Sequence, residues 1–148
     1  MSIGSSLQRQ YLRLHQAVYE RTDGRIGHRM VGSPSLLLRT TGRRTGRQRT
    51  SALIYAPDGR DYVVVASNHA RERDPAWLLN IRADPRVEVQ VARHREPATA
   101  RVVEADDADY ARLWAIANRG NRNRYEAYQA QTARRIPLVV VTPGDERP

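Results

Sequence analysis

The chain has 148 residues, enough for one average domain that buries roughly 68–70% of the surface its unfolded form exposes. It contains no cysteine, which excludes disulfides, thiolate nucleophiles and Cys-ligated metal centres, and no apolar stretch approaches the about 20 residues of a membrane-spanning helix, so a cytoplasmic protein is expected. All 25 basic residues are arginine, set against 16 acidic ones for a net charge of +9, and such a surface favours anionic partners because guanidinium groups bind phosphate and carboxylate bidentately.

Leu7, Tyr11, Leu14 and Val18 fall on one helical face and Ser5 with Gln8 has capping-box form, so residues 1–22 read as an amphipathic helix. After a loop holding glycine and proline, residues 35–40 read as a strand, 41–46 as a glycine-bounded turn and 48–56 as a second strand. Pro57, Asp58 and Gly59 make a turn, and the run Val63-Val64-Val65 suits a strand over residues 61–67 buried on both faces. Asp74 as N-cap and Pro75 at the first helical position start a short helix through Trp77, Leu78 and Ile81, which stops at Asp84-Pro85.

Val87, Val89 and Val91 alternate with Glu88 and Gln90, the pattern of a half-buried strand, and His94-Arg95 turns it back into a partner over residues 98–104. Asp106 or Asp107 caps a helix with Tyr110, Leu113, Trp114 and Ala117 on one face. A second short helix carries Tyr125 and Tyr128, and residues 136–142 form the last strand. Six short strands without regular βαβ alternation predict a mainly β, α+β architecture: a small six-stranded, mostly antiparallel barrel with peripheral helices over residues 23–143, and a loose tail at 144–148.

Five arginines and no acid lie between Arg39 and Arg49, around Gly42 and Gly46. Turn amides, glycines and guanidinium groups in that pattern make either an anion cradle or a solvated hairpin tip. The four histidines, His15, His28, His69 and His94, lie in separate segments without ligand-like spacing, so no metal site is expected. Asp106, Asp107 and Asp109 read as cap and dipole partners, and Trp77, Trp114, Tyr110 and Tyr19 as core. Tyr125 and Tyr128 border a polar segment, where they either line a pocket or pack.

The stretch from Leu36 through Arg39, Gly42, Arg43, Arg44, Gly46 and Arg49 to Thr50 resembles the opening motif of the deazaflavin-dependent nitroreductase and quinone reductase family, whose members use coenzyme F420. Val64-Val65-Ala66-Ser67, Asp74-Pro75-Ala76-Trp77-Leu78-Leu79-Asn80, Asp84-Pro85, and Tyr125 and Tyr128 ahead of Ile136-Pro137 match it in order, as does Asp23-Gly24-Arg25-Ile26-Gly27. The resemblance implies a split β-barrel like that of the pyridoxamine-phosphate-oxidase and FMN-binding proteins. It also implies a polyanionic cofactor with a phosphate and an oligoglutamate tail, which accounts for the arginines.

By the same resemblance, Arg43, Arg44 and Arg49 hold phosphate and tail, while Thr50, Ser51 and Leu53 border the ring system. Val65, Ala66, Ser67 and Asn68 present backbone and hydroxyl groups to the deazaflavin, and Ala76, Trp77 and Asn80 complete the wall. Ser67, Tyr125 and Tyr128 line the pocket of a small-molecule electron acceptor such as a quinone, nitroarene or activated enone. Ala52, Arg122, Gln131 and the loop Asn68-His69-Ala70-Arg71-Glu72-Arg73 depart from the family pattern, mostly on the acceptor side. Two other readings stand beside this one: an FMN-dependent oxidoreductase of the same barrel type, and a non-enzymatic binder of nucleic acid or anionic membrane. The last rests on net charge alone, and no nucleic-acid motif is present. The N-terminal helix, flanked by Arg9, Arg13 and Arg21, is expected to cap the barrel, with an anionic membrane surface as the alternative. A homodimer is common for this barrel type.

Overall fold

The computed structural model describes residues 10–14, 16, 29–30 and 33–144. Its strands are β1 (Arg29–Met30), β2 (Ser33–Thr41), β3 (Gln48–Ile54), β4 (Ala56–Asp58), β5 (Asp61–Val65), β6 (Arg86–Val91), β7 (His94–Val103) and β8 (Leu138–Pro143). The helices are α1 (Ala76–Ala83), α2 (Tyr110–Arg119) and α3 (Arg124–Gln129), together with a helical stretch at residues 10–14 and 16. The ladder is antiparallel throughout and runs β3-β2-β6-β7-β8-β5-β4, with β1 paired to the start of β2. Its two ends, β3 and β4, are consecutive in the chain and separated only by Tyr55, so covalent continuity curls the sheet on itself.

Why these residues form that curled sheet is visible in β2. Leu36, Leu37 and Leu38 are all fully buried because β2 is paired on both edges, Leu37 facing Ala52 of β3 and Gln90 of β6, and is covered on both faces. One face contributes Leu36 and Leu38 to a core that also takes Val64, Val89, Val139 and Val141, closed by Trp77, Leu78 and Ile81 of α1. The opposite face of β5 and β8 contributes Val63, Val65, Leu138 and Val140 to a second core under α2 and α3, with Tyr110, Leu113, Ala117 and Tyr125. Strands sandwiched in this way are apolar at every position, which is why Val63-Val64-Val65 runs without alternation. Each fully buried leucine or valine stabilises the fold by about 1.5–3 kcal/mol.

Several expectations need correction. Among the described residues seven strands of three or more residues are present rather than six, plus the two-residue β1; the expected strand over residues 48–56 breaks at Tyr55, whose N–H turns to Pro34 O (3.1 Å). Pro75, not Asp74, is the N-cap of α1, because the Asp74 carboxylate is taken by Arg82 (2.8 Å) and Arg134 (2.9 Å). The β6–β7 turn lies at Ala92 and Arg93, with Ala92 at φ 50°, so His94 and Arg95 already belong to β7. Asp109 caps α2, while Asp107 accepts the Asp109 N–H (2.9 Å) and pairs with Arg101. Gln90 is fully buried instead of facing solvent, since it binds Arg39 (2.9 Å) and Ala92 O (2.9 Å).

In the N-terminal stretch Tyr11 (47%) and Leu14 (66%) are both exposed, so the expected apolar face is not buried at either of its described positions. Leu7, Val18, the capping box, the Asp23-to-Gly27 loop and residues 145–148 lie outside the described residues. Among the described residues no helix is long and apolar enough to cross a membrane.

Candidate active site

The β2–β3 turn is built by its glycines. Gly42 N–H donates to Arg47 O (2.7 Å) and Gly46 N–H to Gly42 O (2.8 Å), and Gly46 sits at φ +71°. At Gly42 a Cβ would meet Arg47 O and Thr45 Oγ1 at 3.0 Å, so only glycine lets the turn close this tightly. The turn is clipped to α1 by Asn80, whose Oδ1 accepts Arg43 N–H (3.1 Å) and whose Nδ2 donates to Thr40 Oγ1 (3.1 Å). Arg43, Arg44, Arg47 and Arg49 are thereby presented to solvent, and none forms an ion pair among the described residues. Arg39 differs: it is 7% exposed and bound to Glu88 (3.1 Å) and Gln90, so four of the five arginines face outward.

Beyond Arg49, β3 becomes the wall of a cavity of about 380 Å³. Ser51, Ala52, Leu53 and Ile54 line one side, Val65, Pro75 and Trp77 another, and Tyr125, Tyr128 and Arg124 of α3 a third. Tyr11, Leu12, Arg13 and Gln16 of the N-terminal stretch line it as well. Ser67, Asn68, His69 and Arg71 supply the loop after β5, in which Asn68, His69 and Ala70 all have positive φ (46°, 54° and 63°).

Three successive non-glycine residues in the left-handed region are strained and persist only where their surroundings over-determine them. The restraint here is Arg134. Its guanidinium donates to Ala66 O (3.1 Å), Ser67 O (2.9 Å), Arg71 O (3.0 Å) and Asp74 Oδ1 (2.9 Å), and its side chain is only 12% exposed. Asn68 Nδ2 adds a bond to Arg73 O (2.8 Å), and Thr132 Oγ1 one to Glu72 (3.0 Å).

Charge in the cavity is one-sided. Arg13, Arg71 and Arg124 line it, and among the described residues no aspartate or glutamate does. Burial, and then the charges of Arg71 and Arg124, hold His69 below its ordinary pKa, so the imidazole is neutral at pH 7. The His69 ring meets Tyr128 edge-on, with centroids 6.1 Å apart. Burial pushes the Tyr125 hydroxyl up to about 12. Tyr125 is thus a proton-holding, hydrogen-bonding wall residue, packed between Trp114 (6.4 Å) and Tyr128 (6.4 Å).

Of the residues expected at the site, the cavity gathers Ser51, Leu53, Val65, Ser67, Asn68, Trp77, Tyr125 and Tyr128. Arg43, Arg44 and Arg49 stand on the adjoining turn. Thr50, Ala66, Ala76 and Asn80 do not line the cavity: Thr50 is half-buried opposite Arg39, Ala66 is buried in the first core with its carbonyl on Arg134, Ala76 is exposed, and Asn80 holds the turn. His69 and Arg71, expected only as part of a loop that departs from the family pattern, line the cavity as well, and so does Arg124, which was not expected there. Arg134 braces that loop without lining the cavity, and neither it nor Arg124 stood out, because an arginine-rich chain gives no single one prominence.

A curled antiparallel sheet thus carries an apolar cavity beside an exposed arginine turn, surfaces of a kind that suit an anionic, ring-bearing ligand. The chain matches the model of the F420H(2)-dependent quinone reductase family over residues 11–143, and it belongs to that family. An F420H(2)-dependent quinone reductase of Mycobacterium tuberculosis (strain ATCC 25618 / H37Rv) is 52% identical over 134 residues, covering 90% of each chain. Among solved structures, an F420-H2 dependent reductase is 32% identical with a TM-score of 0.65, covering 73% of this chain and 93% of its own. A domain-swapped dimer, 29% identical, has a TM-score of 0.67 and covers 90% and 98%. A pyridoxamine 5′-phosphate oxidase-related, FMN binding protein of Nostoc punctiforme, at 13% identity and a TM-score of 0.52 over 97% and 81%, shares the split-barrel fold alone.

Proposed function

We propose that the cavity and the arginine turn form one site for reduced coenzyme F420, and that a quinone is reduced in the space between the loop after β5 and α3. The observation that carries this reading is the course of β3. A single strand leads from four outward-facing arginines without ion pairs among the described residues to the wall of a mainly apolar cavity. A polyanionic tail and an apolar ring system need that sequence of surfaces. Arg43, Arg44 and Arg49 would hold phosphate and tail, and Ser51, Leu53, Val65 and Trp77 the ring system. Asn80 acts through the turn it fixes. FMN gains no support, because the family is defined by F420.

F420 supplies a hydride at carbon 5 of its reduced ring, and the protein supplies alignment and a proton. Ser67 and Tyr128 carry hydroxyls at the cavity wall that can donate to an acceptor oxygen. Burial pushes the Tyr125 hydroxyl up to about 12, so it keeps its proton and can serve only as a hydrogen-bonding group of the wall. Tyr11, Leu12, Arg13 and Gln16 of the N-terminal stretch and α3 border the acceptor side.

The test is oxidation of F420H2 by menadione. The wild type turns over, and Tyr128→Phe, which keeps the ring and loses only the hydroxyl, lowers kcat by about 10²–10⁴-fold if it hands over the proton. Affinity for F420 stays within about twofold, since no cofactor charge is touched. An absence of turnover in the wild type overturns the function. A wild-type rate in Tyr128→Phe moves the proton donor to Ser67.

A further inference from the structure

Arg71 and Arg124 come from different elements, the loop after β5 and the start of α3, yet both line the same cavity and act on the same imidazole, His69. The acids on these elements are occupied elsewhere. Asp74 lies between Arg82 (2.8 Å) and Arg134 (2.9 Å), Glu72 accepts from Thr132 (3.0 Å), and Glu126 accepts from Trp114 Nε1 (2.5 Å). Neither Arg71 nor Arg124 forms an ion pair among the described residues, although the chain places carboxylates within three positions of each. The backbone at Arg71 is also held in place, since its carbonyl accepts from Arg134 Nε (3.0 Å). Like charges turned toward one apolar-walled space repel each other and are relieved by an anion placed between them.

We propose that Arg71 and Arg124 form an anion site on the acceptor side of the cavity. It receives the oxyanion of the reduced acceptor, and it favours aromatic acceptors that carry an acidic group over neutral ones of equal size. This rests on the reading of the cavity as the place of quinone reduction. A quinone that takes up a hydride gains one hydrogen nucleus and one electron pair: one oxygen becomes a hydroxyl and the other an oxyanion, which a single proton then converts to the hydroquinone. Fixed cations at the position where that charge develops act more strongly on the transition state than on the neutral quinone.

The experiment compares 2-naphthoate with 2-naphthamide, which match in size and differ in charge. Calorimetric titrations use wild type, Arg71→Gln/Arg124→Gln and Arg71→Lys/Arg124→Lys, each saturated with oxidised F420 and, separately, free of it. Wild type should bind naphthoate at least about tenfold more tightly than naphthamide. The Gln pair should lose that preference with its F420 affinity kept, and the Lys pair, which keeps the charge, should retain it. Equal binding of the two probes by wild type, or a preference that survives in a folded Gln pair, overturns the proposal. Displacement of naphthoate by F420 also overturns it, because the two arginines would then face the cofactor's own anionic groups. Failure of F420 to bind at all refutes the cofactor site, whereas the probe preference of the free protein still reports on the anion site.

Discussion

Tyr125 and Tyr128 sit three residues apart on one short helix and line the same cavity, but Tyr125 is buried whereas Tyr128 is half-buried. Tyr125 is buried among Trp114, Tyr128 and the second core, and its hydroxyl is pushed up to about 12 by that burial. A tyrosine whose pKa is raised on folding adds stability that is complete below about pH 10 and is lost as the pH climbs from about 10 toward 12. Thermal melts from about pH 9 to about 12, a range that runs from below the ordinary tyrosine value up to the folded one, should show a steeper alkaline fall for wild type than for Tyr125→Phe. Parallel curves would mean that the hydroxyl is not desolvated. The sequence placed both tyrosines beside a pocket. It could not separate their roles, because burial depends on α2 and β8, which lie elsewhere in the chain.

At the scale of elements, the loop after β5 shows how a local rule is overridden. Asn68, His69 and Ala70 have no glycine among them, yet all three adopt positive φ, held by a guanidinium 60 or more residues away in sequence. Replacing Arg134 with glutamine removes most of the donors to Ala66 O, Ser67 O and Arg71 O. An unsatisfied buried acceptor costs about 1–3 kcal/mol, so a loss near 3 kcal/mol is expected in denaturant unfolding. Menadione turnover should fall along with it, because Ser67 shifts. A loss under about 0.5 kcal/mol would show that the loop holds its shape unaided.

Local signals served well where an element is decided by its own residues: the valine run of β5, the apolar face of α2, and the alternation of β6 as far as Val89, beyond which Arg39 draws Gln90 into the interior. They failed where a distant partner decides. Asp74 looks like a cap but answers to Arg82 and Arg134, and the strand from Gln48 breaks at Tyr55 because the barrel must turn there.

Over the whole molecule, arginines divide by what they meet. Arg82, Arg86, Arg101 and Arg112 pair with acids on the outside of the fold, while those of the β2–β3 turn and the cavity form no ion pair among the described residues. Exposed pairs of the first kind contribute little, about 0–1 kcal/mol each. The second kind leaves uncompensated charge along one route, from the turn over β3 into the cavity, and that route is the central claim. Titration with F420 and with FMN, in wild type and in Arg43→Ala/Arg49→Ala, tests it most directly. F420 should bind wild type well ahead of FMN, weaken as salt rises, and lose at least about tenfold in the folded double variant through the missing charge-assisted bonds. FMN binding as tightly as F420, or F420 affinity unchanged in the double variant, would contradict the account.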